Sequence, residues 1–163
     1  MIEYFNIQNS SFFSFDLFKP ILFIGITIIT LIIVMLKAKP KNIKIIISIF
    51  LLFAISLFYG VLSINIKEYK ILKNRYRNKE YNIVEGYVFE FEPMPYSGKK
   101  YEKFKVEDIE FEYSDFRSTY AFNKTKSHGG PIDEGVYVKI YYTEGIIGRN
   151  GKKIIGLWID KNR

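Results

Sequence analysis

The chain has 163 residues with 24 Lys and Arg, 17 Asp and Glu, one His and no Cys, for a formal net charge of +7. Without cysteine, disulfide scaffolds and thiolate metal sites are excluded, and a single histidine offers little toward any other metal set. The positive charge raises nucleic acid as a partner, but its placement removes that reading. Residues 1–36 carry −1, residues 37–44 carry +4, residues 65–79 carry +5 and residues 80–163 carry −1. The basic excess borders two apolar runs, where Lys and Arg meet lipid head groups. The rest of the chain lacks the basic face that phosphate contacts need.

Residues 1–16 hold Tyr4, Phe5, Phe12, Phe13 and Phe15 among polar side chains, a density that suits a membrane–water interface. A frayed tail is the alternative, as for many termini. Ile21 to Leu36 is 16 residues without charge, extended toward Leu17 and Phe18 across Lys19 and Pro20, with Pro20 placed in a helix's first turn. Glu3 and Asp16, and the lack of a small-residue cleavage site after Leu36, argue against a secretory signal. Lys37 to Lys44 carries four lysines in a short loop. Ile45 to Ile66 is then 22 residues without charge. At about 1.5 Å per residue such a helix spans the roughly 30 Å of hydrocarbon in a bilayer. Hydrophobic all round, it could not be buried by a domain this small.

These runs predict a transmembrane helical hairpin over residues 17–66, with spans at 17–36 and 45–66. Ser56 and Gly60 inside the second span allow close helix contact. Ile66, Tyr69, Leu72 and Tyr76 recur at helical spacing, which predicts a basic helical stalk over 67–80. The compact lysine loop marks the cytoplasmic side and puts the C-terminal domain outside the cytoplasm. The six basic residues of the stalk favour the reverse, a cytoplasmic domain.

From Tyr81 the pattern becomes alternating. Val84–Glu92, Ile109–Ser114, Ser118–Phe122, Val136–Tyr142 and Ile154–Ile159 predict five short antiparallel strands, with a bulge near Gly86 and a hairpin turn at Asn150–Gly151. Five strands in residues 81–163 predict a small β-barrel-like domain of the OB or SH3-like kind. Glu90, Glu92, Glu110 and Glu112 fall on the solvated faces of their strands.

Two loops stand apart. Glu92 to Tyr101 is stiffened by two prolines and carries Met94, Tyr96 and Tyr101 as candidate exposed contacts. Phe122 to Ile132 carries Asn123, His128 and Pro131, with Gly129–Gly130 supplying turn geometry. His128 beside Ser127 or Ser97, oriented by Asp115 or Asp133, would be the catalytic arrangement, but neither serine sits in a nucleophile-elbow sequence. Gly145-Ile-Ile-Gly148 lacks the ending of a phosphate loop. Asn123-Lys-Thr125 fits a glycosylation sequon whose meaning depends on a secretory route.

Val84-Glu-Gly-Tyr-Val, Phe104-Lys-Val with Ile109-Glu-Phe-Glu-Tyr-Ser, Gly-Gly-Pro-Ile132 and Gly135-Val-Tyr-Val-Lys-Ile-Tyr-Tyr make the chain resemble bacterial families of short membrane proteins. Those families, of unassigned function, pair two spans with a C-terminal OB-like domain. The resemblance covers residues 17–160 in layout and implies no catalytic residue. The expected whole is an α+β multi-pass protein of the cell membrane in the bacterial envelope. Its expected function is that of a membrane-anchored interaction module without catalysis. It would present Met94, Tyr96, Tyr101, Asn123, His128 and Pro131 to a partner protein. An envelope sensor for a small ligand or peptide is the alternative, and an anchored hydrolase using His128 the third reading. The bilayer and a partner protein are the expected partners, no nucleic acid and no cofactor is expected, and a homo-oligomer stays open.

Overall fold

A computed structural model describes residues 1–12, 15–145 and 151–160. It is an α+β structure of two helices and a six-stranded antiparallel sheet. The chain divides into two compact units, one made of Ser11–Lys67 and the other of Met1–Ser10 with Glu68–Arg163. Phe13 and Asn150, which figure in the sequence expectations above, lie outside the described residues.

The first unit holds helix α1, Phe15–Lys37, and most of helix α2, Lys41–Arg77. Only Ala38 to Pro40 separate them, a tighter turn than the eight-residue lysine loop expected. Ser48 on α2 places its hydroxyl 3.6 Å from the Met35 sulfur of α1, so the two helices fold back on each other. Because α1 starts at Phe15, Pro20 falls in its second turn and not in its first. Among the described residues one helix, α2, is long and apolar enough to cross a membrane, and the described apolar stretch of α1 is Ile21–Lys37. The stalk is not a separate element: α2 continues unbroken to Arg77, because no Gly or Pro interrupts the apolar periodicity after Ile66.

In the second unit the strands are β1 Ile2–Asn6, β2 Asn82–Glu92, β3 Glu102–Val106, β4 Ile109–Tyr113, β5 Tyr137–Thr143 and β6 Lys153–Asp160. They run in the order β1-β6-β5-β2-β3-β4. Six strands therefore replace the five expected. Ile2–Asn6, read as an interfacial or frayed tail, pairs with β6 as an edge strand. Ile7 behind it is fully buried, so this segment is held by burial as well as by its ladder. Glu102–Val106 forms β3, whereas Ser118–Phe122 stays irregular although Tyr120, Ala121 and Phe122 are buried.

Strand β2 is long enough to serve two neighbours. Asn82–Tyr87 pairs with β5, and Val88 onward pairs with β3. The bulge lies between Phe89 and Glu92, not at Gly86, and Glu90 takes it up at φ 51°. Gly86 keeps regular register opposite Val138. Such a bulge bends the strand and increases its twist. The sheet consequently curls over one core in which Val88, Phe104, Val106, Val138, Ile140 and Leu157 are almost wholly buried. Phe111 of β4 meets Tyr142 of β5 edge-on at 5.3 Å although the two strands are not neighbours in the sheet. The segment after β4 covers the Tyr113 end of the open side: Phe122 packs on Tyr113 at 5.5 Å, and its N–H donates to the Ile154 carbonyl.

The last turns of α2, from Glu68, belong to this unit. Leu72 is fully buried. Arg75 donates to Thr143 Oγ1 at 2.5 Å and to the Glu144 carbonyl at 2.9 Å. Asn6 donates to the Tyr76 hydroxyl at 3.0 Å, and Gln8 donates to the Lys73 carbonyl at 3.1 Å. The N-terminal strand and the helix end are thus tied together by side-chain bonds as well as by burial. Ile7→Ala should lower the unfolding free energy by about 2–4 kcal/mol, the usual range for emptying a buried aliphatic site. Denaturant unfolding in detergent measures this, and a shift within about 0.5 kcal/mol would mean that the segment is a loose tail after all.

Candidate functional site

The two loops singled out in the sequence come together, and a buried carboxylate is what joins them. Glu102, at the head of β3, is fully buried. Tyr113 of β4 donates its hydroxyl to Glu102 Oε1 at 2.6 Å. The backbone N–H of Lys126 donates to Oε2 at 2.7 Å. The backbone N–H of Met94 faces the same carboxylate and favours its charged form. One side chain thus ties strand β4 and the 3₁₀ turn Lys126–His128 to the end of the Pro93–Tyr101 loop, which runs directly into it. Its pKa is raised by burial, which Tyr113, Lys126 and Met94 partly offset, with Asp115 adding a smaller push upward. Tyr113 is raised well above its ordinary value, first by burial and then by the Glu102 charge. Tyr113 thus ionises less readily beside Glu102, while its hydroxyl bond favours the Glu102 carboxylate.

Met94, expected at the surface, is 1 % exposed. The Ser114 hydroxyl donates to its sulfur at 3.2 Å, and Met94 anchors the loop from below as a flexible apolar plug. Tyr96 is the residue the loop displays, at 76 % exposed. Its ring lies 4.6 Å from that of His128 on the other loop. Phe116, 66 % exposed, lies 6.0 Å from the same imidazole. Gly98, at φ 76°, lies against Phe116 so closely that a Cβ there would come within 2.9 Å of the ring. Tyr101 is half-buried and carries the Arg117 guanidinium over its face at 5.0 Å. Asn123 is half-buried and donates to the Arg117 carbonyl at 2.8 Å. Pro131 is half-buried behind the glycine pair.

The Gly129–Gly130 pair has the geometric role expected of it. Gly129 sits at φ 84° as the cap of the 3₁₀ turn. A Cβ on Gly130 would lie 2.2 Å from the Lys124 carbonyl oxygen, so only glycine fits. The same turn buries Thr125, whose hydroxyl donates to Asp115 Oδ2 at 2.5 Å.

His128 Nδ1 lies 2.7 Å from Asp115 Oδ2, 3.3 Å from Thr125 Oγ1 and 3.4 Å from Ser127 Oγ. A carboxylate on Nδ1 orients the ring and leaves Nε2 to act. Ser127 stands on the nitrogen that Asp115 already occupies, so it is not placed as a nucleophile for a base at Nε2. Ser97 is exposed on the opposite loop, and Asp133 pairs instead with Lys126 at 2.6 Å, which lowers its pKa. Among the described residues no group of three or more His, Asp or Glu side chains is placed to hold a metal. The arrangement can orient a histidine and display two aromatic rings beside it.

Phe116 and Glu102 were not picked out by sequence reasoning, and Thr125 only as part of a sequon, whereas Asp115, named beside Asp133 as a residue that could orient His128, is the one of the two that meets its ring. Phe116 carried a signal, a bulky aromatic between Asp115 and Arg117 in a turn where packing does not require one. Glu102 carried none, since it alternates with Lys103 as any solvated strand residue would. Comparison with protein-family models, curated proteins and solved structures returns no match.

The raised pKa of Glu102 fixes the sign of a pH effect. The folded chain holds that proton more tightly than the unfolded chain, so stability falls as pH rises above about 4.5 and through the folded-state value. Glu102→Gln mimics the neutral acid: its carbonyl accepts from the Lys126 N–H and its amide donates to the Tyr113 oxygen. The variant should lose this part of the pH slope in denaturant unfolding. Glu102→Ala should destabilise by about 3 kcal/mol or more at every pH, because the Tyr113 hydroxyl and the Lys126 N–H lose their acceptor together. An unchanged slope in the Gln variant would show that Glu102 does not carry the effect.

Proposed function

We propose that this chain is a membrane-anchored interaction module in which α1 and α2 both cross the bilayer and the β unit offers an aromatic contact surface to a partner protein. The observation that carries the contact surface is the Tyr96–His128–Phe116 group. Two exposed rings lie beside an imidazole that Asp115 and Thr125 hold in place. Aromatic anchors on a rigid base are what protein hot spots use, because they contribute large area while losing little conformational freedom. Glu102 and Gly130 fix the base. Support for the anchor is the apolar surface of the helices, with Phe23, Ile29, Leu52 and Phe53 all exposed. A helix of 23 residues such as α1 reaches about 34 Å, enough for the hydrocarbon layer.

In this reading the lysines at 37, 39, 41 and 44 face the cytoplasm and the β unit lies outside it. Catalysis by His128 is not part of the reading, since Ser127 shares the wrong ring nitrogen. Leu52→Arg at mid-span should cost about 3 kcal/mol of insertion. The variant should therefore be depleted from carbonate-washed membranes, and full retention would argue against a span there. Tyr96→Ala and Phe116→Ala should each leave thermal unfolding of the β unit nearly unchanged, yet cut recovery of crosslinked partners from native membranes by about tenfold. The interaction reading fails if both variants fold and keep every crosslinked partner.

A further inference from the structure

Among the described residues strand β4 ends the sheet, and along its open side runs a cleft of about 300 Å³. One wall is β4 itself with Ser114, residues 110–114, and the other is formed by residues 121–123 and 152–154. The ladder fixes what β4 offers to this cleft. Val106 and Ile109 face each other across the two-residue turn Glu107–Asp108, and pairing then runs Lys105 with Glu110, Phe104 with Phe111 and Lys103 with Glu112. The pair closing a two-residue turn exchanges its main-chain bonds, and bonded and non-bonded pairs alternate from there. Phe111 therefore bonds inward to β3, while the N–H and C=O groups of Glu110 and Glu112 point to the open edge. A row of unpaired main-chain groups of this kind is a template for another strand.

The outer faces of the strands say which strand. Glu92 of β2 stands opposite Lys103 of β3, and Lys103 stands opposite Glu112 of β4. Glu90 pairs with Lys105 at 2.6 Å, and Lys103 pairs with Glu112 at 3.2 Å. The rows thus read acid, base, acid and stop on exposed carboxylates at the free edge, where Glu110 has no ion pair among the described residues. Opposite charges directly across a ladder stabilise it and like charges oppose it. A second copy adding through its own β4 would set Glu against Glu, so the charges disfavour self-pairing. Lys152 and Lys153 across the cleft restrict positive charge on the occupant to the positions facing Glu110 and Glu112.

We infer that the free edge of β4 receives an extended peptide segment by strand addition, with basic residues at alternate positions in the manner of Lys-x-Lys. The chain's own β3, Glu-Lys-Phe-Lys-Val, is the internal example of such a partner for β4. This surface is separate from the Tyr96 group and stands whether or not that group binds protein.

The test uses the full chain in detergent with a fluorescent, end-blocked peptide Thr-Val-Lys-Val-Lys-Val-Thr, read by anisotropy at low salt. Two comparators are the same peptide with both Lys replaced by Glu, and one N-methylated at alternate residues to remove the ladder donors. The lysine peptide should bind at least tenfold more tightly than either. Glu110→Lys, an exposed change, should weaken it about tenfold, and Tyr96→Ala should leave it unaltered. Failure of the lysine peptide to bind would overturn the inference. So would equal binding of the N-methylated or acidic peptide, or a concentration-dependent dimer that excludes the peptide and is lost in Glu110→Lys.

Discussion

Glu102 is the point on which the site depends. A carboxylate with no exposed surface must have its acceptors filled, and here strand β4 and the 3₁₀ turn supply the donors. Without it, the Tyr113 hydroxyl and the Lys126 N–H would each lose their acceptor, and strand β4 and the 3₁₀ turn would have no common anchor. The apolar core shapes the curled sheet. Glu102 decides where the loops stand on it. The distinction matters because hydrophobic packing is tolerant of small displacements, whereas a buried carboxylate with a bonded donor on each oxygen has one arrangement.

From this anchor the surface follows in short steps. The 3₁₀ turn that donates to Glu102 also buries Thr125 and carries His128. Thr125 and His128 both meet Asp115, which lies in the turn directly after β4. Gly130 lets the chain pass against Lys124 and Thr125 with no room for a side chain. Tyr96 then rests over His128, and Phe116 rests over Gly98. Each exposed ring thus has a rigid neighbour beneath it. This is why a small module can present aromatic side chains without letting them collapse into its core.

Much of the architecture was legible in the residues. The apolar runs, the alternation in β2, β4, β5 and β6, and the turn role of Gly129–Gly130 all follow from local periodicity and backbone geometry. What escaped was non-local. Residues 2–6 form a strand because β6 offers an edge and Ile7 finds a buried site, and neither fact is visible in the segment itself. Ser118–Phe122 alternates like a strand, yet its aromatic residues cover the Tyr113 end of the open side of the sheet without joining a ladder. The bulge was sought at the glycine, but the strand takes it up at Glu90, where the edge toward β3 begins. Met94 looked like a displayed contact and is a plug, since two prolines turn the loop so that Tyr96 faces out instead. Glu102 reads as an ordinary strand carboxylate, and only its partners, 8, 11 and 24 positions away, give it its role.

The account is tested most directly by amide hydrogen exchange at Met94 and Lys126 in the folded chain. The Lys126 N–H donates to a fully buried carboxylate and the Met94 N–H faces it, so both should exchange only through opening of the whole β unit, with the same protection as the central strand β5. Exchange at either amide as fast as in an exposed loop, while β5 stays protected, would contradict the claim that Glu102 holds the two loops as one surface.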